Sequence, residues 1–89
     1  ILCFKDINSV APIHLLIIPK KQIEKIADST ESEKDLLGHL MLVAGKVARQ
    51  LGVEEAFRLV VNNGEGAQQS VFHLHIHLLS GREFHWPPG

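Results

Sequence analysis

Apolar residues recur every three or four positions through the middle of the chain, which is the spacing of one helix face. Thr30 and Glu33 have the spacing of a capping box, in which each side chain satisfies a free backbone N–H at the helix start. Gly52 stands where a left-handed C-cap is expected. We therefore predict an amphipathic helix of about 20 residues, which is long against the usual average. Its apolar positions are Leu36, Leu37, Leu40, Met41, Ala44, Val47, Ala48 and Leu51.

Four shorter apolar segments flank this helix, two on each side, and turn residues or proline bound them. They run over residues 1–7, 14–18, 57–62 and 71–79, with a polar loop over 63–70 and Gly81 ending the last segment. The order strand, strand, helix, strand, strand favours an α+β fold, an antiparallel sheet with one long helix packed on it. We expect a single domain over residues 1–89.

Composition narrows the class of protein further. A domain of 89 residues has a modest core, and the single cysteine, Cys3, excludes an internal disulfide. Metal binding or self-association is then the expected supplement. The formal charge of −1 argues against nucleic-acid binding, and no apolar run approaches the ~20 residues of a membrane span. The chain begins in the middle of a strand without a signal sequence, so we expect a truncated N-terminus and cytoplasmic placement.

The informative stretch is the alternation of His73, His75 and His77 with apolar residues. On a strand, alternate side chains point to opposite faces, so three imidazoles would line one face about 7 Å apart. A surface strand explains one or two such histidines, but not three in alternation. The pattern therefore indicates chemistry.

Two kinds of chemistry fit the three histidines. A His-x-His pair can bind zinc, although we find no second cysteine and no obvious carboxylate beside the triad. Alternatively, one imidazole attacks phosphorus as a nucleophile while a neighbour holds phosphate oxygens or protonates the leaving group. The preceding loop favours the second interpretation, because its amide, hydroxyl and backbone groups can surround a phosphate. These loop residues are Asn62, Gly64, Gly66, Gln68, Gln69 and Ser70, with Arg82 the nearby fixed cation.

The motif His-φ-His-φ-His-φ-φ, with φ apolar, resembles the signature of the histidine-triad (HIT) family. Further segments are similar to its Hint branch across essentially all 89 residues. They are Ala11-Pro12-Ile13-His14, Ile18-Pro19-Lys20-Lys21, Leu37-Gly38-His39-Leu40, Gln69-Ser70-Val71 and His85-Trp86-Pro87-Pro88-Gly89. The resemblance implies a homodimeric purine-nucleoside phosphoramidase that hydrolyses adenosine 5′-phosphoramidates and aminoacyl-adenylates to AMP, with no cofactor and no metal.

The resemblance also implies roles for individual histidines. His75 would be the nucleophile that becomes nucleotidylated, and His77 would contact the phosphate and assist the leaving group. His73 would support the site through hydrogen bonds, and His14 would orient the triad from a neighbouring strand.

The remaining implied contacts concern the nucleotide. Asp6, with Ile7 beside it, matches the position that holds the ribose hydroxyls. The phosphate and leaving group would meet the loop, and Trp86 would reach the partner subunit's site as a specificity residue. The loop positions implied are Asn62, Gln68, Gln69 and Ser70.

Two departures from the family pattern bear on these expectations. Gln68 stands where relatives often have glycine, and the family's N-terminal helix and strand precede the point where this chain begins. Two alternatives stay open: a dinucleoside-polyphosphate hydrolase or nucleotidyl transferase of the same superfamily, and a zinc-binding or protein-interaction module with a vestigial nucleotide site.

Overall fold

The computed structural model describes residues 1–89, which form a four-stranded antiparallel sheet with one long helix. The strands lie in the order β1-β2-β4-β3. None of the helices has the length and apolar character that crossing a membrane requires. The predicted α+β fold is confirmed. Its elements are β1 (Leu2–Lys5), β2 (Ile13–Ile18), α1 (Lys34–Gln50), β3 (Arg58–Val60) and β4 (Ile76–Ser80).

The core lies between α1 and one face of the sheet. The helix buries Leu40, Ala44 and Ala48, spaced four residues apart so that they share one face. Small alanines let the helix approach the sheet closely, while branched side chains from the strands fill the space between them. Ile17 and Leu78 supply much of this filling and are fully buried.

The pairing of β2 with β4 decides which side chains face the helix. Ile17 lies opposite Ile76, and these residues pack into the core. His77 lies opposite Leu16, one position along, and therefore points to the other face of the sheet. The helix α1 packs on the core face and does not cover this second face.

The helix start has the predicted capping residues but a tighter first turn. A 3₁₀ turn over Glu31–Glu33 precedes α1, which shortens the helix to 17 residues against the predicted 20 or so. The backbone N–H of Thr30 donates to Glu33 Oε1 at 3.0 Å. Gly52 follows the helix with φ of +72°, as a left-handed cap requires.

The strand predicted over residues 71–79 is wrong at its start, because β4 begins only at Ile76. The preceding segment bonds to the loop that follows β2 instead of to a sheet neighbour. The Leu74 N–H donates to the Ile23 carbonyl at 2.6 Å, and His73 Nε2 donates to the Pro19 carbonyl at 2.8 Å. Burial still alternates, with Leu74 buried between two half-buried histidines.

Lys21 lies in an exposed bend after β2, and its Nζ is 3.2 Å from Glu33 Oε2. Glu33 is buried and also accepts from the Ser32 hydroxyl. The bonds from Ser32, the Thr30 backbone and Lys21 together lower the pKa of Glu33 from 4.5 to about 2. The carboxylate therefore ties the loop after β2 to the start of α1.

The lowered pKa of Glu33 predicts that the fold loses stability in acid. Because the folded pKa lies below the unfolded value, the ionised form stabilises the fold above about pH 4.5, and that contribution is lost as pH falls towards 2. We expect Glu33→Gln to lower the melting temperature at pH 7, with the difference from wild type closing between about pH 5 and 2. Thermal unfolding followed by circular dichroism over this range tests it. The exposed neighbour variant Glu31→Gln is the control, and a pH-independent difference for Glu33→Gln would contradict the assignment.

Gln68 generates a second prediction about stability. It is exposed and adopts φ of 67° and ψ of 30°, a left-handed conformation that costs an L-residue about 1 kcal/mol. We expect Gln68→Gly to raise the unfolding free energy by roughly 0.5–1 kcal/mol in a denaturant titration. Gln68→Ala keeps the Cβ and should give no comparable gain. Equal stabilisation by both variants would show that backbone strain is not the cause.

Candidate active site

His14 and His77 meet on the face of the sheet that α1 does not cover. His14 lies on β2 and His77 on β4, and their Nε2 and Nδ1 atoms are 2.8 Å apart. The His14 side chain is only 5% exposed, whereas His77 is 20% exposed. His14 thus lies behind His77, which faces the open side.

The direction of this hydrogen bond follows from a backbone group. The Val10 N–H donates to His14 Nδ1 at 3.2 Å, so Nδ1 accepts and Nε2 of the neutral ring carries the proton. His14 Nε2–H therefore donates to His77 Nδ1. A neutral His77 must then carry its own proton on Nε2.

His75 has the opposite tautomer. Its Nδ1 lies 2.8 Å from the carbonyl oxygen of His73, and a carbonyl can only accept. Nδ1 therefore carries the proton, and Nε2 of the neutral ring presents a free lone pair. The ring stands edge-on to His77 with centroids 5.0 Å apart. A lone pair on one imidazole and an N–H on the other lie side by side.

Asp6 is the carboxylate that the sequence analysis did not find beside the triad. Its Oδ2 lies 3.4 Å from His14 Nε2 and 4.0 Å from His77 Nδ1. Asp6 is 71 residues before His77 in the chain, so neither spacing nor local pattern could reveal the approach. The ribose contact implied for Asp6 stays a prediction.

The pKa of His77 is lowered from its usual value. Burial is the first cause, followed by the neighbouring His75 and His14, and the Asp6 carboxylate acts in the opposite direction. The proton affinity of His77 therefore depends on the balance among these groups.

Asp6, His14 and His77 each offer a ligand atom within 4.8 Å of the others, as a metal site would require. The hydrogen bonds do not suit a metal, however. Coordination through His14 Nε2 would move its proton to Nδ1, where the Val10 N–H already donates. The cluster is arranged for proton-bearing imidazoles, which weakens the zinc alternative.

The polar loop before the triad is held by Gln69. Its buried side chain accepts from the Gly64 N–H at 2.7 Å and donates to the carbonyls of Glu24 and Val71. Gln69 was predicted to contact the nucleotide, but its amide is engaged within the protein and shapes the loop. Gln68 and Ser70 are exposed beside it.

Asn62 reaches the histidines from the end of β3. It donates to the Ala67 carbonyl at 2.7 Å and borders a cavity of about 210 Å³. The cavity is lined by Val10, His14, Val60, Asn62, His77 and Leu79. Arg82, expected near the phosphate, instead places its guanidinium 4.5 Å from the centre of the Phe84 ring.

The C-terminal tail leaves Trp86 exposed. Arg58 donates to the His85 carbonyl at 2.9 Å, and its guanidinium lies 4.9 Å from the centre of the Phe84 ring. Trp86 is 82% exposed and Ile7 is 95% exposed. The roles implied for these two residues stay predictions.

Comparison with known proteins covers nearly the whole chain. Residues 1–84 match the model of the HIT domain. A HIT-like protein of the cyanobacterium Synechocystis is 53% identical over 88 residues, covering 99% of this chain and 77% of that protein.

Solved structures agree with this assignment. The crystal structure of a HIT family hydrolase from Legionella pneumophila superposes with a TM-score of 0.95 at 46% identity, covering 98% of this chain and 79% of that one. A HIT family hydrolase from Clostridium thermocellum gives 0.89 at 45% identity, with 93% and 73% covered. The chain therefore belongs to the HIT domain family and is a hydrolase-like member of it.

Proposed function

We propose that this protein hydrolyses purine nucleoside 5′-phosphoramidates and acyl- or aminoacyl-adenylates to AMP, as in the Hint branch. The observation that carries the proposal is the hydrogen bond from His75 Nδ1 to the His73 carbonyl. It directs the free lone pair of Nε2 outwards, and a neutral imidazole is a nucleophile near pH 7 without a separate base. His75 is the proposed nucleophile.

The reaction takes place in two displacements. His75 Nε2 attacks the α-phosphorus, the bond to the leaving amine or acid breaks, and a nucleotidyl-histidine forms. Water then attacks the same phosphorus, AMP leaves, and His75 is restored. Two in-line displacements at one phosphorus retain its configuration.

His77 is proposed to contact the phosphate and assist the leaving group through Nε2, the atom that its bond with His14 leaves free. His14 orients His77 from β2. His73 supports the site by anchoring its own segment to Pro19.

The nucleotide would lie across the open face of the sheet. Exposed groups of the loop, at Gln68 and Ser70, are proposed to hold the phosphate together with Asn62, whose neighbouring cavity reaches His77. Gln69 would act by shaping this loop. Asp6 and Ile7 are proposed to bind the ribose, and no metal or cofactor is required because the imidazoles and loop donors can hold the phosphate.

A homodimer is part of the proposal. The outer face of α1 exposes Met41 at 55% and Leu42 at 74%, and β3 forms an edge of the sheet. An exposed apolar helix face and a free strand edge each suit a two-fold interface. Trp86 would then reach the partner subunit's site.

Replacement of the nucleophile tests the reaction. We expect wild type to hydrolyse a fluorogenic adenosine 5′-phosphoramidate in the presence of a chelator, and His75→Ala to lose turnover by at least about 10³-fold, because no other group forms the intermediate. The measurement is steady-state fluorescence. Dinucleoside polyphosphate assayed in parallel distinguishes the other enzymes of the superfamily.

His39→Ala is the matched control, since His39 is an exposed histidine on α1. It should retain the wild-type rate. A His75→Ala protein with full activity, or wild-type activity that disappears with chelator, would refute the metal-free histidine mechanism.

Charge introduced at the helix face tests the dimer. We expect Leu42→Asp to convert a dimer to a monomer in light scattering after size exclusion, because a buried unpaired carboxylate opposes association. Trp86 is the only tryptophan and the chain has no tyrosine, so a red shift of its emission should accompany dissociation.

Leu51→Asp provides the comparison, because Leu51 is also exposed but lies nine residues on, at the opposite side of the helix. It should remain dimeric. A monomeric wild type, or dissociation by both variants, would exclude this interface.

A further inference from the structure

Protonation of His77 at Nδ1 requires a hydrogen-bond acceptor that the neighbouring histidines do not provide. To protonate a leaving amine from Nε2, His77 must first be an imidazolium, with a second proton on Nδ1. In the free protein Nδ1 accepts from His14 Nε2–H at 2.8 Å. Two N–H groups would then point at each other.

His14 cannot easily relieve this conflict by changing its tautomer. Moving its proton from Nε2 to Nδ1 would oppose the Val10 N–H, which donates to Nδ1 at 3.2 Å. That donor belongs to the backbone and has no alternative form. The new proton on His77 Nδ1 therefore needs a different acceptor.

Asp6 Oδ2 is placed to be that acceptor. It lies 4.0 Å from His77 Nδ1, and a shift of roughly 1 Å brings it to the length of a charge-assisted hydrogen bond. The Asp6 N–H donates to the His14 carbonyl at 2.9 Å, and Oδ1 accepts from the Asn8 N–H at 2.8 Å. These bonds fix the residue and leave Oδ2 directed towards the two histidines.

We infer that Asp6, beyond any contact with ribose, is the positioning residue and counter-ion that allows His77 to serve as the general acid. This inference rests on the proposed function. When His77 takes up a proton, its Nδ1–H turns from His14 to Asp6 Oδ2, and the negative carboxylate stabilises the positive ring.

The proton balance of the first displacement is then complete. His75 Nε2 forms the bond to phosphorus, the phosphorus–nitrogen bond breaks, and its electron pair stays on the amine nitrogen. That nitrogen takes the Nε2 proton of His77, which becomes neutral with its remaining proton on Nδ1. In the second displacement the attacking water returns a proton to Nε2.

Four influences on the proton affinity of His77 have a defined direction. His75 from the same segment and His14 from β2 oppose the imidazolium, as does burial, whereas Asp6 after β1 favours it. On the β3 side, Val60 and Asn62 border the same cavity and do not titrate. Arg58 shares this face of the sheet, but its guanidinium donates to the His85 carbonyl and packs on the Phe84 ring. Asp6 is therefore the group whose removal should most reduce proton uptake.

The test compares two substrates with the same AMP moiety. An adenosine 5′-phosphoramidate needs a proton on its leaving amine, whereas the p-nitrophenyl ester of AMP releases a stabilised phenolate. We expect Asp6→Asn to lower kcat for the phosphoramidate by about 10- to 100-fold more than for the ester. The alkaline limb of its pH profile for the phosphoramidate should shift to lower pH, because the imidazolium has lost its counter-ion.

Asp6→Glu should recover part of the phosphoramidate rate, and Asp35→Asn, which removes an exposed carboxylate from α1, should behave as wild type. Asn at position 6 still offers an oxygen to the Asn8 N–H, and circular dichroism checks the fold. A purely ribose-binding role would instead raise KM equally for both substrates and leave the kcat ratio and pH profile unchanged. That result would overturn the inference.

An NMR titration of the ring nitrogens of His77 gives a second measurement that needs no substrate. We expect Asp6→Asn to lower the pKa of His77, and an unchanged pKa would overturn the inference. Wild type that turns over neither substrate would refute the proposed function, while this titration would still decide the coupling of Asp6 to His77.

Discussion

The antiparallel register between β2 and β4 is the constraint on which both the core and the site depend. It places Ile17 opposite Ile76 towards α1 and Leu16 opposite His77 away from it. A slip of one residue would reverse the faces, burying His77 in the core and exposing Leu78. The register that gives the lower free energy for the apolar side chains is therefore the one that assembles the histidines.

The strands β2 and β4 each contribute one ring of the hydrogen-bonded pair of His14 and His77. His14 comes from β2, and its side chain is only 5% exposed. His77 comes from the neighbouring strand and is more exposed. The Val10 N–H fixes the tautomer of His14, and His14 then donates to His77 Nδ1. The nitrogen of His77 that remains free is Nε2.

Hydrogen bonds outside the sheet determine the positions of His73 and His75. Because β4 starts only at Ile76, these residues lie in a segment that is bonded to the loop after β2 through Leu74 and His73. Buried Gln69 ties the polar loop before the triad to the same region. The polar loop before the triad and the segment that carries His73 and His75 are thus fixed to one framework, although neither belongs to the sheet.

Much of this could be predicted from local pattern. Periodicity located the helix, the spacing of Thr30 and Glu33 predicted its start, and the alternation of histidines with apolar residues predicted which side chains share a face. The beginning of β4 was mispredicted because alternation of burial continues through residues 73–75 without sheet hydrogen bonds. The ion pair of Lys21 with Glu33 could not be predicted from local pattern, because the two residues are 12 positions apart and only the fold brings them together.

By itself, then, the sequence determined the class of elements, their order and the imidazoles that could act together, since these follow from the residue types within a few positions of one another. Only the tertiary structure decided which nitrogen of each ring carries its proton and which carboxylate lies beside them. The tautomers depend on the Val10 N–H and the His73 carbonyl. Such backbone groups occur at nearly every position, so no sequence pattern marks the ones that a fold brings to a histidine.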